Sequence, residues 1–216
     1  MNLYIIRHGE STWNSQNKIQ GHSDPELSKL GLRQARLLAK RLKRTKIDKI
    51  YSSPLLRSLQ TAQIIARVLK LKVIKMGQLR EVGLGAWEGR TTDEIDNVYN
   101  NKYQKWLKIG PTKIKIPDAE SIGSFRKRVK KVFYKIIKGN KNKDILIVTH
   151  GGVIAAFLAH LLKADFDRLI LGLHLPNTCV TLVSFYPAPG RRGWRRGCLI
   201  HVADTFHLSN AYGPTS

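Results

Sequence analysis

Apolar residues form several short runs along the chain, each bounded by polar or glycine-containing turns. Runs of this length and composition are typical of β-strands. The run before His150 is almost continuously apolar, as is usual for a strand buried on both faces of a parallel sheet. The predicted strands are 3–7, 49–52, 71–75, 144–148, 180–186 and 198–203.

Between these runs, apolar positions recur at the three- and four-residue spacing of amphipathic helices. Ser28 is a good N-cap for the first helix, and Ser53-Pro54 has the cap and first-turn chemistry of a second. The predicted helices are 29–42, 55–69, 92–108, 121–138 and 152–162.

Alternating strands and helices predict an α/β fold with three layers, in which helices cover both faces of a mostly parallel central sheet. The two late strands are expected to add an antiparallel edge. The 216 residues show no internal repeat or linker, so we expect a single domain, 1–216. No apolar run is long enough to span a membrane, and the N-terminus does not resemble a signal peptide, which favours a cytoplasmic protein without a membrane partner.

The charge is strongly positive, with 38 Lys and Arg against 15 Asp and Glu, for a formal net charge of +23. Such a field attracts anions, either small phosphorylated substrates or nucleic acid. A basic face on the helix 121–138 and the loop 187–197, with its four arginines, fit the second interpretation. A solvated basic surface explains most of these residues equally well.

Only two cysteines are present, Cys179 and Cys198, and neither has the spacing of a zinc site. Both lie near late strands and could face each other. In a reducing cytosol, two buried free thiols are the expected state.

Four residues have side chains that could take part in catalysis: His8, Arg57, Glu81 and His150. All four occupy the same kind of position relative to the predicted strands. Each follows the carboxyl end of a strand, where open α/β sheets place their ligands. Because these ends meet at one edge, the four side chains are expected to converge there with Arg7. Two of the predicted helices begin at the same edge, where their N-termini favour an anion.

Arginine guanidinium groups bind phosphate oxygens and keep their charge. A neutral imidazole among them can act as a nucleophile towards phosphorus, and a second, protonated one can stabilise the transferring group. Glu81 can protonate the leaving oxygen and then deprotonate water. Since side chains supply the positive charge, no metal or cofactor is expected.

Four stretches, taken in order, resemble the histidine phosphatase superfamily, also called the phosphoglycerate mutase-like family. They are Leu-Tyr-Ile-Ile-Arg-His-Gly-Glu-Ser-Thr-Trp-Asn (3–14), Ser-Ser-Pro-Leu-Leu-Arg-Ser-Leu-Gln-Thr-Ala (52–62), Leu-Arg-Glu-Val-Gly-Leu-Gly-Ala-Trp-Glu-Gly (79–89) and Val-Thr-His-Gly-Gly (148–152). The late sequence Asp-Thr-Phe-His-Leu (204–208) is similar to the family's C-terminal motif.

The resemblance implies that His8 is the phosphorylated nucleophile and Glu81 the proton donor and acceptor. It implies that Arg7, Arg57 and His150 bind the transferring phosphoryl group. The predicted substrate-binding residues are Asn14, Gln20, Gly21 and Gly151. The family also allows a homodimer.

The loop after Glu81 favours the phosphatase branch over the mutases. Mutases tend to follow the acid with Arg-His-Tyr and carry a longer insertion, whereas this chain has Val-Gly-Leu-Gly-Ala-Trp-Glu-Gly. Gly83 and Ala86 stand where relatives often have His and Asp. The prediction is therefore a metal-independent phosphomonoester hydrolase. A 2,3-bisphosphoglycerate-dependent phosphoglycerate mutase is the alternative. A basic nucleic-acid-binding or scaffold protein is a more distant alternative, because a scaffold would not need both His8 and Glu81.

Other residues near these motifs have structural interpretations. Glu88 is expected to be structural beside Trp87, and His22 is placed near the entrance of the site. Buried or surface roles are expected for the later histidines, His160, His174, His201 and His207, although His207 could support the site.

Overall fold

A six-stranded sheet forms the centre of the computed structural model, which describes residues 1–187 and 194–209. The strands are β1 (Asn2–Arg7), β2 (Lys49–Ser52), β3 (Val73–Lys75), β4 (Ile145–Thr149), β5 (Val180–Pro187) and β6 (Trp194–Asp204). Their order is β3-β2-β4-β1-β5-β6. The first four are parallel, while β5 and β6 are added antiparallel. This confirms the predicted α/β architecture and its antiparallel edge.

Helices cover both faces of the sheet. They are α1 (Lys29–Leu42), α2 (Leu56–Leu69), α3 (Thr92–Val98), α4 (Lys102–Ile109), α5 (Ile122–Gly139), α6 (Gly151–Leu162) and α7 (Phe166–Gly172). The fully buried strand β4 shows why three layers form, because successive strand residues point to opposite faces. Ile145 and Ile147 pack in the cluster with α5 and α6, whereas Leu146 and Val148 pack with α1 and α2.

The start of α1 is fixed against the turn that follows β1. Ser28 caps the helix as predicted, its Oγ accepting from the Gly31 nitrogen at 3.0 Å. The Ser28 nitrogen donates to the Glu10 carbonyl at 2.9 Å. Gly31 lies so close to that carbonyl that a Cβ atom would overlap it. Helix α1 thereby positions the turn that carries His8.

The predicted cap of α2 is wrong in detail. The helix begins at Leu56, and its N-cap Leu55 makes no side-chain capping bond. Ser53 instead accepts from the Leu55 nitrogen at 3.3 Å and bonds to His150 at 2.9 Å. The serine hydroxyl thus orients a site residue rather than capping the helix.

Four elements differ from the predictions by two or more residues. Strand β6 begins at Trp194 rather than Cys198, so residues 194–197 of the predicted loop 187–197 belong to the strand. The single helix expected at 92–108 is two helices, because Asn100 and Asn101 adopt positive φ values of 58° and 57°, which asparagine tolerates better than most residues. Helix α7 was not predicted, although Asp165 caps it by accepting from the Arg168 nitrogen at 2.9 Å. Strand β3 begins at Val73 rather than Leu71.

Both cysteines are free, as expected, but only Cys179 is buried; Cys198 is exposed. They do not face each other, because Cys198 pairs with Ser184 in the β5–β6 ladder. Of the predicted basic loop 187–197, residues 188–193 lie outside the described residues. Among the described helices, none is long and apolar enough to cross a membrane.

Candidate active site

The carboxyl ends of the parallel strands surround a cavity of about 400 Å³. Every predicted site residue except His150 lines it: Arg7, His8, Asn14, Gln20, Gly21, Arg57, Glu81 and Gly151. His150 is fully buried behind His8, with 5.2 Å between the ring centroids. The topology therefore brings together residues as far apart in sequence as Arg7 and Gly151, since Arg7 pairs with Thr149 across β1 and β4.

His8 is held as a neutral imidazole with a defined tautomer. Its Nδ1 lies 2.7 Å from the Gly9 carbonyl oxygen. Because a carbonyl can only accept, Nδ1 carries the hydrogen and Nε2 keeps its lone pair. Burial, with the nearby charges of Arg57 and Arg7, lowers the pKa of His8 well below its usual value. The ring is therefore available as a nucleophile through Nε2.

The two arginines, Arg57 buried and Arg7 half-buried, are cations with unused hydrogen-bond donors. The Arg57 guanidinium donates to the carbonyl oxygens of Ser23 at 2.8 Å and Gly21 at 2.9 Å, and Arg7 donates to the carbonyl of Leu175. In the described residues, the Nε atoms of both arginines have no hydrogen-bond partner. Burial lowers the pKa of Arg57 to about 10, against the opposing effect of Glu81, so it stays charged at neutral pH. Buried, unpaired donors of this kind favour an anionic ligand.

His150 is anchored by two serines on the α2 side of the sheet. Its Nε2 bonds to Ser53 Oγ at 2.9 Å and to Ser58 Oγ at 3.3 Å, while Nδ1 has no partner in the described structure. Burial, followed by the charge of Arg57 and the neighbouring His8, lowers the pKa of His150 well below its usual value. This shift favours the neutral imidazole over the protonated form considered from the sequence.

Glu81 is fixed at both its carboxylate and its main chain. The carboxylate accepts from the nitrogens of Val82 and Gly152, each at 3.0 Å, the latter at the start of α6. A side chain at Gly152 would collide with this carboxylate, so glycine allows the close approach. The Glu81 carbonyl accepts from His22 Nε2 at 2.8 Å and from Arg128 at 3.0 Å. His22 therefore lies near the site, as expected, and orients the acid.

Glu88 joins the two loops that line the cavity entrance. Its Oε1 accepts from the nitrogens of His22 and Leu84, both at 2.8 Å. Its Oε2 accepts from the nitrogen and hydroxyl of Ser23 at 2.9 and 2.8 Å. Burial acts to raise the pKa of Glu88, but these hydrogen bonds outweigh it and lower the pKa. The predicted structural role is confirmed, with a consequence for Arg57, because the loop held by Glu88 supplies its two carbonyl partners.

Asn14 and Gln20 reach the cavity from the segment after the His8 turn. Their amide oxygens accept from Ser11, whose nitrogen lies 3.1 Å from Asn14 and whose hydroxyl lies 2.9 Å from Gln20. Asn177, which the sequence reasoning missed, donates to the His8 carbonyl at 3.0 Å. These contacts fix the polar rim around the nucleophile.

The sequence reasoning also missed an apolar part of the cavity lining, here called the outer wall, which comes from residues 106–122 and 166–173 rather than from the strand ends. Six apolar residues form this outer wall: Trp106, Pro111, Ile122, Phe166, Ile170 and Leu173. Three of the six, Trp106, Phe166 and Ile170, belong to α4 and α7, whose boundaries were not predicted. His174, expected to be structural or on the surface, also lines the cavity, as does Lys18. His207 bonds to Thr178 at 3.0 Å, and the Thr178 nitrogen donates to the carbonyls of Arg7 and His8.

Comparison with known proteins identifies the family. A family profile described as the histidine phosphatase superfamily (branch 1) matches residues 3–192. The chain belongs to the histidine phosphatase superfamily. It is 36% identical to phosphoserine phosphatase 1 of Hydrogenobacter thermophilus over 166 residues, which are 77% of this chain and 78% of the relative.

Two further matches cover nearly the whole chain. The probable phosphoglycerate mutase GpmB of Yersinia pestis is 32% identical over 211 residues, 96% of this chain and 95% of the relative. The solved structure of Bacillus stearothermophilus YhfR superposes with a TM-score of 0.87 at 28% identity, covering 96% of this chain and 99% of that one. The histidine phosphatase family and fold inferred from the four motifs are thus confirmed, and the chain is an enzyme of this superfamily.

Proposed function

We propose that this enzyme hydrolyses phosphomonoesters in two steps, through a phosphohistidine formed on His8. The observation that carries the proposal is the buried, neutral His8 ring, whose Nδ1 is committed to the Gly9 carbonyl at 2.7 Å. Only Nε2 is then free to attack phosphorus. Family membership supports the same reaction class.

In the first step, Nε2 of His8 forms a bond to phosphorus while the bond from phosphorus to the alcohol oxygen breaks. Glu81 gives its proton to the departing oxygen. In the second step, Glu81 takes a proton from water, whose oxygen attacks phosphorus and releases His8 and inorganic phosphate. Glu81 suits both roles because its carboxylate is held in place by two main-chain N–H groups.

The negative charge of the transferring phosphoryl group requires positive charge in the site. Arg7 and Arg57 supply it, and their unpaired Nε donors support this role. His150, neutral and buried, contributes a hydrogen bond rather than a full charge. Asn14, Gln20, Gly21 and Gly151 complete the substrate rim. Since side chains provide the positive charge, the proposed reaction needs no metal ion or cofactor.

A phosphoglycerate mutase is the second candidate, and the 32% identity to a probable mutase over 95% of its length supports it. A mutase would use the same phosphohistidine but return the phosphoryl group to phosphoglycerate. The loop after Glu81 and the higher identity to a phosphoserine phosphatase favour hydrolysis.

We infer that the partner is a small phosphorylated substrate. The basic surface alone supports a nucleic-acid role, whereas the assembled site supports an enzyme acting on a small molecule. A homodimer and a cytoplasmic location stay predictions from the sequence.

Release of inorganic phosphate tests the proposal. Wild type and His8→Ala are incubated with p-nitrophenyl phosphate and 3-phosphoglycerate, with EDTA present and bisphosphoglycerate absent. We expect phosphate release by the wild type and none above background by the variant. Full activity in His8→Ala would refute the nucleophile. Isomerisation of 3-phosphoglycerate only after addition of 2,3-bisphosphoglycerate would identify a mutase.

A further inference from the structure

The lining of the active-site cavity has two chemically different parts. One part carries the arginines, His8 and Glu81, which act on the phosphoryl group. The other part is the outer wall (Trp106, Pro111, Ile122, Phe166, Ile170 and Leu173). Because the phosphoryl group takes the charged part of the lining, the chemistry of the outer wall indicates which organic group the cavity accepts beside it.

The charges around the cavity are almost all of one sign. Among the described residues that line it, Glu81 is the single carboxylate, and both its oxygens are engaged by main-chain nitrogens. Lys18 adds a cation to those of Arg7 and Arg57. A substrate ammonium group would therefore find no carboxylate of its own and would be repelled by these cations. Phosphoserine, named for one relative, carries such an ammonium group.

The outer wall is partly aromatic and is packed against neighbouring residues. Trp106 stacks on Tyr103 with ring centroids 5.7 Å apart and ring planes 10° apart, which fixes the orientation of the indole. Phe166 is 1% exposed and belongs to the main core cluster, while Ile170 of α7 and Leu173, which directly follows α7, pack against that cluster. A preformed apolar surface of this kind stabilises an apolar group by removing it from water, and aromatic rings add stacking.

We propose that the preferred substrate is a phosphomonoester of an uncharged alcohol whose organic part is apolar and preferably aromatic. This inference rests on the proposed hydrolysis at the same site, and it adds the substrate class. The apolar part lies on the outer wall, and the phosphoryl group lies between the arginines and His8. Substrates that carry an ammonium group are disfavoured.

Comparison of kcat/KM among alkyl phosphates tests the substrate class, because their leaving alcohols have similar intrinsic reactivity. The substrates are 2-phenylethyl phosphate, glycerol 3-phosphate, 3-phosphoglycerate and phosphoserine. For the wild type we expect 2-phenylethyl phosphate to exceed each of the others by roughly tenfold or more, the discrimination that an apolar pocket provides.

Two pairs of neighbouring residues give matched variants. Trp106→Ala and Ile170→Asn alter the outer wall, whereas Leu107→Ala and Leu171→Asn change exposed neighbours, 41% and 39% exposed, on the same helices. We expect each wall variant to reduce the ratio of kcat/KM for 2-phenylethyl phosphate over glycerol 3-phosphate by roughly fivefold or more. Each neighbouring variant is expected to keep the wild-type ratio.

The possible results distinguish a wrong substrate class from a wrong reaction. Phosphoserine or 3-phosphoglycerate hydrolysed by the wild type as well as 2-phenylethyl phosphate, with His8 still required, would overturn the substrate class and leave the reaction intact. An unchanged ratio in both wall variants would do the same. No phosphate release from any of the four substrates would instead contradict the proposed function.

Discussion

Glu88 makes no proposed contact with the substrate, yet its replacement by glutamine is expected to impair both stability and catalysis. Each of its carboxylate oxygens accepts two hydrogen bonds, from His22, Leu84 and Ser23. In Glu88→Gln one oxygen becomes an NH₂ group, which cannot accept, so at least one main-chain N–H donor loses its acceptor in either orientation of the amide. The hydrogen bonds that remain lose the charge of the carboxylate. Hydrogen bonds to a charged group contribute about 1.5 kcal/mol each at the lower end, which gives a loss of about 2–3 kcal/mol after partial rearrangement.

The catalytic effect follows from the loop that Glu88 holds. Gly21 and Ser23 in this loop supply the carbonyl partners of Arg57, at 2.9 and 2.8 Å. If the loop shifts, Arg57 is no longer held in position, and a displacement of about 1 Å can reduce the rate by roughly 100-fold. We expect kcat/KM for p-nitrophenyl phosphate to fall by roughly 10- to 100-fold.

Urea unfolding and steady-state kinetics measure the two effects in the same samples. Glu94→Gln is the matched control, because Glu94 also accepts a main-chain N–H, from Thr91 at 2.7 Å, but lies in the exposed capping box of α3. Its kcat/KM is expected to match the wild type. Wild-type stability and kcat/KM in Glu88→Gln would refute the argument that this carboxylate orders Arg57.

Two further predictions concern stability. Burial lowers the pKa of His8 and His150 and lowers that of His207 to about 4. Below pH 6.5 the unfolded chain therefore binds more protons than the folded protein, and the free energy of unfolding falls as the pH decreases. His207→Gln should make urea-derived stability less pH-dependent between pH 6.5 and 5.5, by roughly 1 kcal/mol, and an unchanged slope would contradict this. Gly31→Ala should destabilise the protein by roughly 1–3 kcal/mol, because its methyl group overlaps a main-chain carbonyl. Gly123→Ala, with nothing within 4 Å, should instead stabilise α5 by roughly 0.5–1 kcal/mol, and equal effects of the two changes would disprove this reasoning.

The strands of the sheet were predictable because each is marked by its own local run of apolar residues. Residues Ile145–Val148 are apolar throughout, which only a central strand covered on both faces requires, and strand β2 was predicted with its observed bounds. The site followed from one rule, that parallel strands place their carboxyl ends at the same edge. His8, Arg57 and Glu81 satisfied that rule in three separate segments.

The remainder depends on contacts that a sequence pattern does not contain. Asn100 and Asn101 adopt left-handed conformations that break a helix whose apolar spacing continues through them. Trp106 and Ile170 are ordinary apolar helix residues in the sequence, and only their packing shows that they border the cavity. The protonation of His150 was also inaccessible, since it depends on complete burial beside Arg57.

The most direct test of the account is detection of the phosphorylated enzyme. Wild type is mixed with excess p-nitrophenyl phosphate, quenched in alkali, in which phosphohistidine persists, and examined by intact and peptide mass spectrometry. The account predicts a mass increase of one phosphoryl group, located on His8 and lost after hydroxylamine treatment, and none in His8→Ala. Rapid phosphate release without any phosphorylated enzyme, or a phosphoryl group on another residue, would contradict it.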